Sequence, residues 1–113
     1  MKELSIQVKS SFWASHFHTG KLNEEEHKHN FIYTITLKGK LNEEGYVEDF
    51  RKIEQVLQEQ NLKLENITLN TILTYPTTEN LAIYLLKEIK KSLPLAHKIV
   101  LQEKENYSVI YEE

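Results

Sequence analysis

Leu4, Ile6 and Val8 alternate with polar residues, and Phe31, Tyr33, Ile35 and Leu37 repeat the alternation over a longer run rich in Ile, Tyr and Thr. A period of two places every second side chain on one face, so both runs read as half-buried strands. Between them, Thr19 to Glu26 holds Gly20 and a string of polar residues, which predicts a loop or wide hairpin connection. Turn residues from Lys38 to Gly45 close the second strand. The period then lengthens. Phe50, Ile53, Val56 and Leu57 predict one face of a helix that Asp49 caps and that runs to about Gln60. Asn61 to Tyr75 carries no clear period and reads mostly as loop. Thr77 can cap a second helix, Glu79 adds negative charge where the helix dipole favours it, and Leu81, Leu85, Leu86 and Ile89 form its buried stripe before Pro94 stops it. Lys98 to Glu103 and Tyr107 to Tyr111 predict a closing hairpin that turns at Glu105 and Asn106. The order ββααββ is an α+β plan, with a four-stranded antiparallel sheet and two helices packed on one of its faces.

Composition narrows this picture without redrawing it. The 113 residues suit one domain spanning 1–113, and 40% hydrophobic residues with six Tyr and four Phe supply a core that a disordered chain lacks. A net charge of −3 argues against a nucleic-acid footprint, and the basic run Lys87 to Lys91 reads as a solvated helix face. The chain has no cysteine, so disulfides, thiolate metal ligands and a cysteine nucleophile are all excluded. No apolar run approaches the ~20 residues of a membrane helix, and the start lacks the apolar segment of a signal peptide. The expectation is a cytoplasmic protein with no membrane partner.

The chemistry concentrates in histidines. Four of the five fall between positions 16 and 29, as His16 with His18 and His27 with His29. On a strand, residues i and i+2 share a face about 6.5–7 Å apart, so two imidazoles can converge on one ion. If the strands carrying His16 and His27 are neighbours, a third imidazole reaches the same point. Three neutral nitrogen ligands with a fourth position open describe a catalytic zinc site. The spacing equally fits a structural zinc held by all four histidines, or exposed histidines beside the wet run Glu24, Glu25, Glu26 and Lys28. His97, close to Pro94, reads as an exposed residue at the start of a strand.

Four segments together resemble a known family. Phe12-Trp13-Ala14-Ser15-His16 resembles F-x-A-x-H, His27-Lys28-His29-Asn30-Phe31 resembles H-G-H-N-Y, Gly45 to Phe50 resembles G-M-V-x-D-F, and Pro76 to Ala82 resembles P-T-A-E-N-L-A. In order and over nearly the whole chain, they point to the 6-pyruvoyl-tetrahydropterin synthase and 6-carboxytetrahydropterin synthase family. The resemblance implies the tunnelling fold, assembly as trimers stacked into hexamers, and active sites at subunit interfaces. It also implies Zn2+ held by His16, His27 and His29, with His18 a neighbour, and a 7,8-dihydropterin such as dihydroneopterin triphosphate as substrate, in queuosine or folate metabolism. Glu103 takes the place of the family's glutamate that anchors the pterin ring, where a carboxylate accepts two parallel N–H bonds. As a strand residue considered alone, Glu103 would read as outward-facing.

The chain also departs from the family. The cysteine base that takes a carbon-bound proton is replaced by Asn23, and the Asp-His relay segment reads Leu64 to Asn70, with Glu65 for the aspartate and Asn66 for the histidine. An amide has no useful proton affinity near neutral pH, so neither asparagine replaces its counterpart. Lys28 stands where the family keeps a glycine, placing a side chain at the substrate's approach to the metal. Some relatives carry a glutamate in place of the cysteine and perform a variant side-chain cleavage, which makes Glu24, Glu25 and Glu26 candidate bases, as is Glu65. Two further readings stay open: a degenerate relative that binds a pterin or purine-like ligand without turnover, and an oligomeric structural zinc module.

Overall fold

The computed structural model describes residues 2–18 and 24–113, with Glu24 described by its backbone alone. Strand β1 (Glu3–His18) and strand β2 (Glu24–Lys40) form a long antiparallel hairpin. Helix α1 (Phe50–Leu64), a 3-10 turn (Leu69–Thr71) and helix α2 (Thr78–Lys90) follow, before strands β3 (Ala96–Lys104) and β4 (Tyr107–Glu112) close the chain. The sheet order is β1-β2-β3-β4, antiparallel throughout. This is the ββααββ plan that the periodicity predicts. No helix among the described residues is long and apolar enough to cross a membrane.

One face of the sheet makes the core. Phe12 and Ala14 of β1, Phe31, Tyr33, Ile35 and Leu37 of β2, and Ile99 and Leu101 of β3 are all buried. They meet Ile53, Val56, Leu57 and Leu64 of α1 and Leu81, Ala82, Leu85, Leu86 and Ile89 of α2. Fully burying each such side chain is worth ~1.5–3 kcal/mol, which is why register is set by this face. The core contains one polar relay: the Tyr33 hydroxyl donates to Asn61 Oδ1 (2.6 Å), and Asn61 Nδ2 donates to Ser10 Oγ (2.7 Å). Burial pushes the Tyr33 phenol up to about 12, so it stays a neutral donor.

Several local expectations are corrected. Helix α1 runs four residues past Gln60, because Asn61 and Leu64 continue its buried stripe. Phe50 lies on that stripe but is exposed, since the helix is covered only from Ile53 onward. Helix α2 ends at Lys90, ahead of Pro94. Glu24 to Glu26 belong to β2 and not to a loop. His97 is half-buried at the register shift between β2 and β3, and its Nδ1 has no hydrogen-bond partner among the described residues. The caps are as predicted: Asp49 accepts from the Arg51 N–H and Thr77 from the Asn80 N–H.

The segment after α1 is not a free loop. Asn66 adopts the left-handed conformation (φ 62°), which asparagine tolerates just past a helix end. From there the chain lies along the open edge of β1. The Trp13 N–H donates to Glu65 Oε2 (3.1 Å), the Asn66 N–H to the Trp13 carbonyl (2.6 Å), and the Ser15 N–H to the Ile67 carbonyl (2.9 Å). The Asn70 amide accepts from the Phe17 N–H (3.1 Å) and donates to the Phe17 carbonyl (3.0 Å). The last third of β1 is thereby held on both edges, which fixes the backbone that carries His16.

Candidate metal centre

The alternation that builds the core continues past its end. On β2 the inward positions run Leu37, Ile35, Tyr33, Phe31 and then His29 and His27; on β1 they run Phe12, Ala14 and His16. His16 and His27 are direct cross-strand partners, and His29, opposite Ala14, is one step away on the same face. Phe31 forms the floor of the site, stacked on Phe12 (5.5 Å between ring centroids) and edge-on to His16 (5.8 Å) and His29 (5.7 Å).

Glu103 arrives from β3. It follows Ile99 and Leu101 on the inward face, so the strand period directs it into the site and not outward. Its Oε1 lies 3.0 Å from His29 Nε2 and 3.3 Å from His16 Nε2, while its Oε2 accepts from the Thr78 hydroxyl (3.0 Å) at the start of α2. His16, His27, His29 and Glu103 each offer one donor atom, all within 4.8 Å of one another, and so form a group able to hold a metal ion. A cavity of about 180 Å³ adjoins them, lined by Thr78, Glu79, Glu103, Tyr107, Ser108 and Val109.

The proton positions fit a cation. His16 Nδ1 lies 2.8 Å from the Pro76 carbonyl, and His27 Nδ1 lies 2.9 Å from the Glu25 carbonyl. A carbonyl only accepts, so both Nδ1 atoms carry a proton and, in the neutral rings, both Nε2 atoms present lone pairs. Those two Nε2 atoms are 2.9 Å apart, and Glu103 Oε1, another acceptor, faces the same point. Facing acceptors repel unless a cation lies between them. His29 Nε2 is buried and has no hydrogen-bond partner among the described residues, although Glu103 Oε1 is near. Ligands about 2.1 Å from a tetrahedral ion stand ~3.4 Å apart, close to the spacing seen here.

Burial pushes the His29 pKa below its usual value, opposed by the Glu103 carboxylate and assisted by the neighbouring His27 and His16. The neutral, ligating form is favoured. For the metal-free protein the unfolded chain binds this proton more readily than the folded one, so stability is present above pH 6.5 and is lost as pH falls below it. The melting temperature of metal-free protein is expected to drop between pH 7.5 and 5.5, and His29→Gln to flatten that slope. An unchanged slope in the variant would remove His29 as the source.

The other sequence candidates separate cleanly. The His18 ring stands 4.9 Å from that of His16 and 6.4 Å from that of His27, outside the donor group, past the register shift that follows His16. Glu25 and Glu26 are exposed at the register shift beyond His27, where two β2 residues face one of β1, and Lys28 alternates to the face opposite the histidines. Lys28 Nζ lies 6.0 Å above the Trp13 ring there, so it does not obstruct the metal as its place in the motif suggests. Glu65 is engaged with the Trp13 backbone, away from the donor group. Asn23 and the Glu24 side chain lie outside the described residues. The Pro76 and Glu25 carbonyls and Thr78 are the parts that sequence reasoning missed; backbone acceptors carry no residue signature, and Thr78 was one position from the cap.

The family model for 6-pyruvoyl tetrahydropterin synthase matches residues 5–113. A dihydroneopterin monophosphate aldolase of Pyrococcus furiosus is 36% identical over 89 residues, 79% of this chain and 77% of its own length. A candidate 6-carboxy-5,6,7,8-tetrahydropterin synthase of Archaeoglobus fulgidus is 29% identical over 111 residues, 96% of each chain. Among solved structures, the Caenorhabditis elegans 6-pyruvoyl tetrahydropterin synthase superposes with a TM-score of 0.88 at 19% identity, covering 100% of this chain and 97% of its own. The Plasmodium vivax enzyme, solved with its catalytic glutamate replaced by alanine, gives 0.87 at 15% identity, covering 100% and 99%.

Proposed function

The chain belongs to the 6-pyruvoyl tetrahydropterin synthase family, and from that premise we propose that it is a zinc protein that cleaves the side chain of a 7,8-dihydropterin phosphate by aldol chemistry. The observation that carries this reading is the convergence of His16, His27 and His29 beside Glu103 and its cavity. When bound, zinc supplies a Lewis acid that polarises the hydroxyl oxygens of the pterin side chain. Glu103 accepts the ring N–H groups, and Thr78 holds its other oxygen.

Aldol cleavage suits the residues this chain has. The family's usual reaction removes a carbon-bound proton, and the cysteine that does so is Asn23 here. Retro-aldol cleavage removes a hydroxyl proton instead. Glu25 is the base in this scheme, because it stands two residues before His27 and its carbonyl holds that ring. It takes the proton of the 2′-hydroxyl, the C1′–C2′ bond breaks, and its electron pair enters the ring C6=N5 bond. Protonation at C1′ then yields 6-hydroxymethyl-7,8-dihydropterin, and the remaining two carbons leave as an aldehyde phosphate. The aldolase named in Pyrococcus furiosus supports the reaction type, and the Plasmodium vivax enzyme illustrates a catalytic glutamate on this fold.

The test offers zinc-loaded protein the mono- and triphosphate of dihydroneopterin. Equal amounts of the hydroxymethyl pterin and glycolaldehyde phosphate are expected from the monophosphate; a 6-carboxy product, or none, would overturn the aldolase reading. Self-association belongs to the same proposal. Strands β1 and β4 are the sheet edges, and they leave Leu4, Tyr107 and Ile110 exposed, a ready surface for pairing with further copies. Light scattering reads this directly, and the mass of a single chain would sink it.

A further inference from the structure

We propose that Glu103 is itself the fourth metal ligand in the resting protein, and that the arriving pterin ring draws it off the metal. The exchange rests on the reading above, in which Glu103 anchors the ring; the ligand role does not. Three facts meet at this one carboxylate. Its Oε1 lies 3.3 Å from His16 Nε2 and 3.0 Å from His29 Nε2. Neither contact is a hydrogen bond: His16 has its proton on Nδ1, held by the Pro76 carbonyl, and His29 Nε2 has no hydrogen-bond partner among the described residues. An acceptor oxygen so placed among acceptor nitrogens is a donor to a cation, completing a three-nitrogen, one-oxygen set of the kind zinc accepts.

The same carboxylate lines the cavity of about 180 Å³ beside it. Its Oε2 is tied to the Thr78 hydroxyl, which is buried at the first residue of α2. The last torsion of a glutamate is soft and a hydroxyl proton rotates freely, so the carboxylate can swing Oε1 from the donor cluster toward the cavity while the Thr78 hydroxyl follows Oε2. A ring presenting two parallel N–H groups competes for that oxygen with charge-assisted hydrogen bonds. Glu103 would then keep the metal's last position closed in the resting protein and open it only for a ligand with this donor pair. Selection for the pterin edge and exposure of the metal become one event.

Cobalt(II) in place of zinc reports on the donor set through its visible spectrum. Glu103→Gln is expected to alter the cobalt spectrum and to weaken zinc, measured by chelator competition, by at least the ~10–100-fold that an outer-sphere partner is worth. Thr78→Val, which frees Oε2 and removes no metal ligand, is expected to weaken zinc by ~10-fold. Adding 7,8-dihydropterin, which has the ring edge and no side chain, should shift the wild-type cobalt spectrum. A Glu103→Gln protein with the wild-type spectrum and zinc affinity overturns the ligand role, whether or not it has lost the pterin. A wild-type spectrum unchanged by 7,8-dihydropterin that calorimetry shows to be bound overturns the exchange and leaves the anchoring role standing, whereas equal binding of that pterin by wild type and Glu103→Gln overturns the anchoring role.

Discussion

His27→Ala is expected to purify without zinc, and the wild-type chain with one ion per chain. His27 contributes more than one nitrogen of three. Its Nε2 faces His16 Nε2 at 2.9 Å, and its Nδ1 proton is spent on the Glu25 carbonyl, so its lone pair is aimed before any ion arrives. Removing it leaves His16, His29 and Glu103 around a site with one wall missing. The loss should exceed the ~10–100-fold that follows from changing an outer-sphere partner. The core should be spared, because the buried cluster ends at Phe31 and His27 is not part of it. The metal-free wild type and the variant are therefore expected to melt close together, while zinc raises the melting temperature of the wild type alone. Emission spectrometry of protein purified without a histidine tag reads the content. His18→Ala is the matched control and should keep its zinc, since the His18 ring lies outside the donor group. Stoichiometric zinc in His27→Ala, or its loss in His18→Ala, would mean that the ion is held by a different set.

That donor set was legible in the sequence for a simple reason: a period of two on paired strands is a geometric statement. His27 and His29 at i and i+2 must share a face, and the pairing of β1 with β2 brings His16 opposite them. The same period, run along Ile99, Leu101 and Glu103, also directs Glu103 inward, so the outward reading of that residue neglected information the chain contains. Other features were hidden because their causes are non-local. Glu65 and Asn66 occupy the relay positions of the family motif, yet here they bond the backbone of Trp13, a partner 52 or more residues away. Asn66 is also what the left-handed turn after α1 favours, a requirement visible only once the helix is known to end at Leu64. Lys28 looked obstructive because a motif is written as a line. On the strand it alternates to the Trp13 side, away from the histidines.

Glu25→Gln is expected to lower kcat for cleavage of dihydroneopterin monophosphate by ~10²–10⁴-fold, the range of a positioned general base. Zinc content should not change, because His27 takes its hydrogen bond from the Glu25 backbone carbonyl, which glutamine keeps. KM should change little, because the proposed ring anchor is Glu103 on β3, steadied by Thr78. This combination separates a base from a scaffold residue: a structural role would move metal content or KM together with the rate. Glu26→Gln supplies the comparison, one residue along the same strand, and should retain wild-type rates. Steady-state rates on both zinc-loaded variants decide the matter. Equal losses in the two would point to local charge and not to a base, and no loss in Glu25→Gln would remove the proton acceptor from this position. If the rate falls only at Glu25, a carboxylate two residues from His27 does the work for which the family's cysteine is absent, and the change of base accompanies a change in the bond that is broken.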